Sequence, residues 1–227
     1  MALAESTGKC ALCGATVAKK KMTGHLKACL AARQPEPNTA TGKKPRKTTL
    51  FHILVEGHYA PQYWLHLAAK PNARLDDLDG FLRRIWLECC GHLSEFKIGT
   101  IRHASYSEDE YGDEGMDVAL EDVLPQGKFF HNYDFGTTTH LALKVLGMLE
   151  GVQQDKVALL ARNDPPAILC DCGKPATWVC VECLYDGKGW VCNDCAKTHE
   201  CGDEALLPVV NSPRVGQCGY TGDAEDG

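Results

Sequence analysis

Thirteen cysteines, most of them near the two ends of the chain, constrain its fold more than any other feature. Most occur in Cys-x-Cys or Cys-x-x-Cys pairs, and thiolates this close in sequence commonly share one metal ion. The first nine residues contain no apolar stretch, so we expect no secretion signal and a cytoplasmic protein. Because the cytosol keeps thiols reduced, we predict that the cysteines bind metal rather than form disulfides.

The first set of candidate ligands has the spacing Cys-x2-Cys-x11-His-x3-Cys and consists of Cys10, Cys13, His25 and Cys29. We predict a helix over residues 20–30, which presents His25 and Cys29 from consecutive turns on one face. Sulfur and nitrogen donors in this arrangement suit a tetrahedral Zn2+ ion, and so short a segment has little core without it. The sequence therefore predicts a small N-terminal zinc finger of the Cys2HisCys type over residues 1–33.

Residues 167–227 carry four more pairs of candidate ligands: Cys170, Cys172, Cys180, Cys183, Cys192, Cys195, His199 and Cys201. Eight donors fill two closed tetrahedral sites, which are structural because no position remains for water. Sequential and interleaved pairings both fit the spacing. We favour an interleaved, cross-braced two-zinc module like those of B-box and RING domains, with the ligand sets Cys170, Cys172, Cys192, Cys195 and Cys180, Cys183, His199, Cys201. In the tail, Cys218 is an alternative to Cys201.

Twelve ligands in three sets predict three Zn2+ ions per chain. Cross-braced zinc modules often bind proteins, so the C-terminal module is a candidate docking surface for an unknown protein partner. The alternative is a metal-stapled lid that closes the core of the domain beside it. We predict that the adjacent Cys89 and Cys90 are core thiols, because neighbouring cysteines rarely form a relaxed disulfide.

The charge of the chain is divided unevenly. Residues 1–50 hold 10 Lys and Arg against two Glu, whereas the remaining 177 residues hold 14 Lys and Arg against 28 Asp and Glu. A basic head on an acidic body predicts contact with DNA or RNA, and the alternative is a solubilising, solvated face. Residues 34–47 are polar, contain three prolines and are predicted to be a flexible basic linker. The candidate phosphate contacts are Lys19, Lys20, Lys21, Lys27, Lys43, Lys44, Arg46 and Lys47.

Residues 48–166 have the pattern of an α+β domain. Residues 48–57 and 62–70 are rich in β-branched and aromatic residues and predict a hairpin. Apolar residues then recur at helical spacing from Leu75 to Cys89. Three more strands are predicted at 92–101, 128–135 and 139–149, and a short helical turn is predicted at 120–124. The connections are too short for parallel crossovers, so we expect a mostly antiparallel sheet. No run approaches the ~20 apolar residues of a membrane span, which predicts no membrane partner.

Three runs of this domain carry a family resemblance: TTLFHILVEG, LDDLDGFLRRIWLECCGHLSEFKIG and KFFHNYDFGTTTHLALKVL. They resemble the plasmid pRiA4b ORF-three-like family, also labelled a transposon-passenger "TnpR" family, over about half of the chain. The matching positions are His92, Leu93, Glu95, Phe96, Tyr133, Asp134, Phe135, Gly136 and His140. Thr137 and Thr139 stand where the family has Asp and Trp. The resemblance implies an α+β fold, a bacterial or mobile-element origin and no established activity.

Asp134 and His140 follow one another on predicted strands, and with His92 and Glu95 they are candidates for a catalytic acid–base or metal-binding set. We favour the alternative in which Asp134 caps a turn and His140 is hydrogen-bonded within the sheet. The sequence thus favours a non-enzymatic zinc-binding adaptor, whose finger contacts nucleic acid and whose body binds a protein. A metal-assisted hydrolase or nuclease and a protein-only interaction module stay open.

Overall fold

Strands dominate the computed structural model, which describes residues 6–32, 47–106, 114–124 and 127–222. They are formed by runs rich in β-branched, aromatic and leucine residues, which pack well on a pleated surface. In chain order the strands are β1 (Thr7–Cys10), β2 (Thr16–Ala18), β3 (Thr48–Gly57), β4 (Trp64–Ala69), β5 (Ser94–Ile98), β6 (Ile101–Ala104), β7 (Glu114–Gly115), β8 (Lys128–Tyr133), β9 (Thr139–Gly151), β10 (Val157–Asn163), β11 (Trp178–Cys180), β12 (Trp190–Val191) and β13 (Leu206–Pro208).

Helices are few among these residues, and most are short. They are α1 (Lys19–Ala32), α2 (Leu75–Leu82), α3 (Leu120–Val123) and α4 (Asn193–Ala196). α2 continues directly into a π-helical turn at Arg83–Leu87, and short 3-10 turns lie at Leu184–Asp186 and Asp203–Ala205. The predicted α+β class is confirmed, with the sheet as the larger component. No helix of the described ranges combines the length and apolar character needed to cross a membrane.

One sheet contains ten strands in the order β2-β1-β10-β4-β3-β9-β8-β5-β6-β7. The predicted hairpin is confirmed as β3 and β4, which pair from Phe51 with Ala69 to Glu56 with Trp64. The described strand pairs are antiparallel with one exception, the pairing of β6 with β7 at the edge. The sheet is therefore mixed, not purely antiparallel. β6 ends at Ala104 and the two-residue β7 begins at Glu114, so nine residues of sequence separate the two strands, more than the tight turn of an antiparallel hairpin requires.

Both faces of the sheet are covered, so β4 is buried at every position. One face carries the larger core, which includes Trp86 beyond α2 and Phe96 of β5. On the opposite face, α1 packs through Met22 and Leu26 against a smaller core that includes Trp64. Alternate residues of each strand point to opposite faces, which explains how one strand contributes to both cores.

The N-terminal Cys/His segment is part of the large sheet. Its strand β1 pairs with β10, from Gly8 opposite Asn163 to Cys10 opposite Ala161. β10, which we did not predict as a strand, lies between β1 and β4. The indole Nε1 of Trp64 also donates to Ser6 Oγ at 2.8 Å. The finger is therefore held by backbone pairing and by a shared core. Residues 34–46 of the predicted linker lie outside the described residues.

The C-terminal module contains a second sheet, in the order β12-β11-β13. Val179 of β11 and Val215, which follows β13 in the chain, belong to the larger core of the main sheet. The module therefore closes that core, as the lid alternative predicts.

We predict that Gly8→Ala destabilises the protein, because a Cβ at this position would lie 2.3 Å from the Arg162 carbonyl oxygen and 2.5 Å from the Trp64 ring. Overpacking of this kind costs about 1–3 kcal/mol. The control is Gly24→Ala in α1, where a Cβ meets nothing within 4 Å. It should stabilise the helix by up to about 1 kcal/mol. Chemical denaturation of both metal-replete variants measures the difference, and equal stabilities would contradict this packing.

Candidate metal centres

The N-terminal cluster comprises Cys10, Cys13, His25 and Cys29, whose donor atoms all lie within 4.8 Å of one another. Cys10 ends β1, and the chain turns at once, so that the Gly14 N–H donates to the Cys10 carbonyl at 2.8 Å. Gly14 has a φ of +74°, which a glycine adopts without steric cost. α1 presents His25 and Cys29 one turn apart, and His25 Nε2 lies 3.3 Å from Cys13 Sγ. The elements that we predicted thus bring these four donors together.

Backbone hydrogen bonds at the cysteine turns favour thiolates. A hydrogen bond from the Ala15 backbone lowers the pKa of Cys13 to about 7. In the C-terminal module, a hydrogen bond from the Cys195 backbone lowers the pKa of Cys192 to about 6. Burial and the neighbouring thiol of Cys13 instead raise the pKa of Cys29 to about 11. Each turn therefore favours one ionised sulfur, and the thiolate is the form that binds metal.

The eight C-terminal donors form two groups, each with its donor atoms within 4.8 Å of one another. The four-cysteine cluster is Cys170, Cys172, Cys192 and Cys195, and the Cys180 cluster is Cys180, Cys183, His199 and Cys201. The grouping is interleaved along the chain rather than sequential. The Sγ atoms of Cys172 and Cys192 are 3.6 Å apart, as are those of Cys183 and Cys201. Two thiolates at ~2.3 Å from a tetrahedral zinc ion are separated by about 3.8 Å.

The small sheet accounts for the interleaving. Cys180 is the last residue of β11, whereas Cys192 directly follows β12, its antiparallel partner. Because paired antiparallel strands run in opposite directions, their last residues lie at opposite ends of the small sheet, and these two cysteines belong to different clusters. α4 starts after Cys192 and carries Cys195 back toward the same cluster.

A fourth cluster, which we did not predict, comprises Cys89, Cys90, His92 and Cys218 and is named here the Cys218 cluster. The described residues thus hold four clusters that could bind a metal ion, rather than the three that we predicted. Cys218 does not replace Cys201, because the tail places it beside His92 instead, with 3.2 Å between Sγ and Nε2. Cys90 is not a core thiol, because it is exposed, whereas Cys89 is partly buried and packs against the larger core. Both belong to the Cys218 cluster.

The cysteines that belong to none of the predicted sets were the sequence feature that indicated this cluster. The three predicted sets use ten of the thirteen cysteines, and the other three all belong to the Cys218 cluster. The local Cys-Cys-x-His spacing contains three of its four ligands. The fourth ligand, Cys218, is 126 residues from His92 in sequence, so no short motif contains both.

The candidate catalytic residues do not form one metal-binding group within the described part of the chain. Asp134 is buried, has a φ of +65°, and accepts hydrogen bonds from the Gly136 N–H and from Arg214, whose Nη2 lies 2.9 Å away. Burial opposes its ionisation, but the Arg214 guanidinium and nearby backbone N–H groups hold the pKa of Asp134 below its usual value. His92 belongs to the Cys218 cluster, with its Nε2 3.6 Å from Asp134 Oδ2.

His140 of β9 and Glu95 of β5 lie on either side of β8 and are linked through its Asn132. His140 Nδ1 lies 2.8 Å from Asn132 Oδ1, and Asn132 Nδ2 donates to Glu95 Oε1 at 2.7 Å. Burial lowers the pKa of His140. Although Glu95 is also buried, hydrogen bonds from Asn132 and Arg102 keep its pKa below the usual value. These contacts connect strands β5, β8 and β9.

The predicted phosphate contacts differ in how exposed their side chains are. Lys19 is partly buried and forms an ion pair with Glu56 of β3. The other described cations of the set are exposed: Lys20, Lys21, Lys27 and Lys47. Three lie outside the described residues: Lys43, Lys44 and Arg46.

No protein family and no curated protein matches the chain. Among solved structures, a similar one is the crystal structure of a protein of unknown function, MM3350, from Methanosarcina mazei Go1. The two share 17% sequence identity, and the match covers 56% of this chain and 75% of that one. At a TM-score of 0.44, the similarity supports no conclusion about fold or function.

We predict that Asp134→Asn lowers the free energy of unfolding by about 3–5 kcal/mol, because it leaves the buried Arg214 guanidinium without its ionic partner. Asparagine tolerates positive φ, so the backbone is not the cause. The control is Asp117→Asn, which breaks the exposed ion pair with Arg74 and should cost at most about 1 kcal/mol. Urea denaturation compares them. Equal losses would show that the Asp134 pair is not a structural contact.

Proposed function

We propose that the chain is a zinc-binding protein in which metal ions stabilise the two terminal regions that pack against the central sheet. The observation that carries this proposal is the convergence of twelve predicted sulfur and nitrogen donors into three groups of four. Soft donors at tetrahedral spacing suit Zn2+, and four protein ligands leave no position for a reacting water. The three ions are therefore structural, and the protein acts by binding rather than by catalysis at these sites.

Metal removal and ligand substitution test this proposal. Metal-replete protein should contain zinc in each of the three predicted clusters. Cys192→Ser should lose at least one equivalent and should unfold the C-terminal module, because metal-binding energy, on the order of 10 kcal/mol, stabilises such small modules. Limited proteolysis should then cleave within residues 167–222. The control is Tyr185→Ser, which removes a side chain that is 82% exposed and belongs to no cluster. Fewer than three equivalents, or an unchanged cleavage pattern in Cys192→Ser, would contradict the proposal.

We further propose that the binding partner is single-stranded nucleic acid, for which the sheet offers a surface beside the finger. Lys19 of α1 pairs with Glu56, Glu56 lies opposite Ala142 of β9, and Ala142 lies opposite Phe130 of β8. Directly opposite residues share one face, so α1 and Phe130 lie on the same side of the sheet. The basic helix and the strands next to it thus form one continuous face.

The part of this face beyond α1 combines exposed cations with exposed aromatic rings. We call it the half-sheet surface; its members are Tyr59, Lys97, Lys128, Phe130 and Lys144. Lys128 lies directly opposite Lys144, and Lys97 lies directly opposite Phe130. Like charges opposite one another are unfavourable unless an anion binds between them. Tyr59 and Phe130 are 80% and 37% exposed, and stacked aromatic rings with backbone-binding cations are how proteins hold single strands.

We predict that Lys128→Ala/Lys144→Ala weakens binding of a labelled single-stranded oligonucleotide by full-length protein. The log–log salt slope should become shallower by about 1.4, because two phosphate contacts are lost. Phe130→Ala should cost about 1–3 kcal/mol of affinity for single strands through lost stacking.

The matched control is Lys188→Ala/Lys197→Ala, which removes two exposed charges from the C-terminal module. It should change neither the affinity nor the slope. If wild-type protein binds no oligonucleotide at low salt, the protein-only alternative replaces this proposal. If the control weakens binding equally, the half-sheet surface is not the binding site.

Membership of the pRiA4b ORF-three-like family is a further proposal, for residues 48–166. It rests on the motif resemblance, and the bacterial or mobile-element origin and cytoplasmic location rest on the sequence alone. The motif positions support it by their placement, since the turn at Asp134 lies beside His92.

A further inference from the structure

The Cys218 cluster joins two distant parts of the chain. Cys89, Cys90 and His92 lie between the π-helical turn and β5, and Cys218 lies in the tail segment, residues 211–220. Gly91, with a φ of +70°, turns the chain so that the residues on either side of it face the tail. All four donor atoms lie within 4.8 Å of one another, as do those of each of the other three clusters.

The tail is also positioned by contacts to residues that are not ligands of this cluster. Ser212 Oγ donates to the Trp86 carbonyl at 2.7 Å, and the fully buried Arg214 donates to the hydroxyl of Thr139 at 3.0 Å. Arg214 also stacks on the ring of Tyr133, with its guanidinium carbon 4.8 Å from the ring centre. The close approach of Cys218 to the other three donors is therefore built into the packing of the tail.

The surroundings of the cluster balance the charge of a metal site. Three thiolates and one neutral imidazole around a divalent ion carry a net charge of −1, and Arg214 Nη2 lies 3.3 Å from Cys89 Sγ. A donor to a ligand sulfur, held in turn by the carboxylate of Asp134, is typical of the groups that support metal ligands. Within the described residues, positive φ at a non-glycine residue occurs only at Asp134 and Cys218. Such conformations persist where surrounding contacts enforce them, often at functional sites.

We propose that Cys89, Cys90, His92 and Cys218 form a fourth zinc site, which fastens the tail segment to the central domain. Metal binding at this site does not depend on the proposed nucleic-acid surface or on metal binding at the three terminal clusters. It takes Zn2+ by the same chemistry, a closed set of soft donors. It differs from the other clusters in exposure: each of those includes at least one buried ligand, whereas none of its four ligands is buried. Its metal is therefore the first that a chelator removes.

Metal counting on full-length protein tests the site. Native mass spectrometry of metal-replete wild type should show four zinc ions, and Cys218→Ser should show three. His92→Asn should also show three, whereas the control His58→Asn, at an exposed histidine outside every cluster, should retain four. Retention of four ions by Cys218→Ser, or only three in the wild type, overturns the proposal. Absence of zinc from the three predicted clusters of the wild type would instead contradict the proposed function.

Cysteine labelling of the wild type tests the site without depending on the folding of a variant. In metal-replete protein, alkylation followed by peptide mapping should find Cys90 and Cys218 protected although both are exposed. On brief treatment with a chelator, these two and Cys89 should be labelled before any cysteine of the other clusters. Full-rate alkylation of Cys90 and Cys218 in the metal-replete protein overturns the proposal.

Discussion

Repulsion among clustered thiolates is the constraint on which the rest of the structure depends. Four groups of donor atoms contain all thirteen cysteines, each group within 4.8 Å. Ionised sulfurs at this separation repel strongly when partly removed from water, and a divalent cation between them reverses the sign of the interaction. The clusters lie where the chain has little hydrophobic core of its own: the first strands, the C-terminal module and the tail. In our account, metal binding supplies there the stability that apolar burial supplies in the central sheet.

Interactions between residues near in sequence were predictable, and those between distant residues were not. His25 and Cys29 are four residues apart on a helix, and the β3–β4 hairpin is a local pairing, so spacing and residue type identified both. The pairing of Gly8 with Asn163 and the meeting of His92 with Cys218 each join residues far apart in the chain. No local pattern encodes them, so the finger's place in the sheet and the fourth cluster emerged only from the packing.

A buried charged network connects the central sheet to the metal clusters. Arg214 binds Asp134, Thr139 and Cys89, and Tyr133 lies between the guanidinium groups of Arg214 and Arg83, each 4.8 Å from its ring centre. Asp134 and His92, two of the four candidate catalytic residues, thus take part in holding the tail. A carboxylate beside a histidine in a sequence motif suggests acid–base chemistry, but its partners here are an arginine and three thiols. Only the fold distinguishes these two roles.

X-ray absorption at the zinc edge reports which atoms surround the metal and therefore shows whether the cysteines hold it. Thirteen cysteines and three cluster histidines over four ions correspond to about three sulfurs and one nitrogen per zinc. The account predicts this average first shell, with zinc–sulfur distances of ~2.3 Å. A first shell dominated by oxygen or nitrogen in metal-replete protein would contradict it.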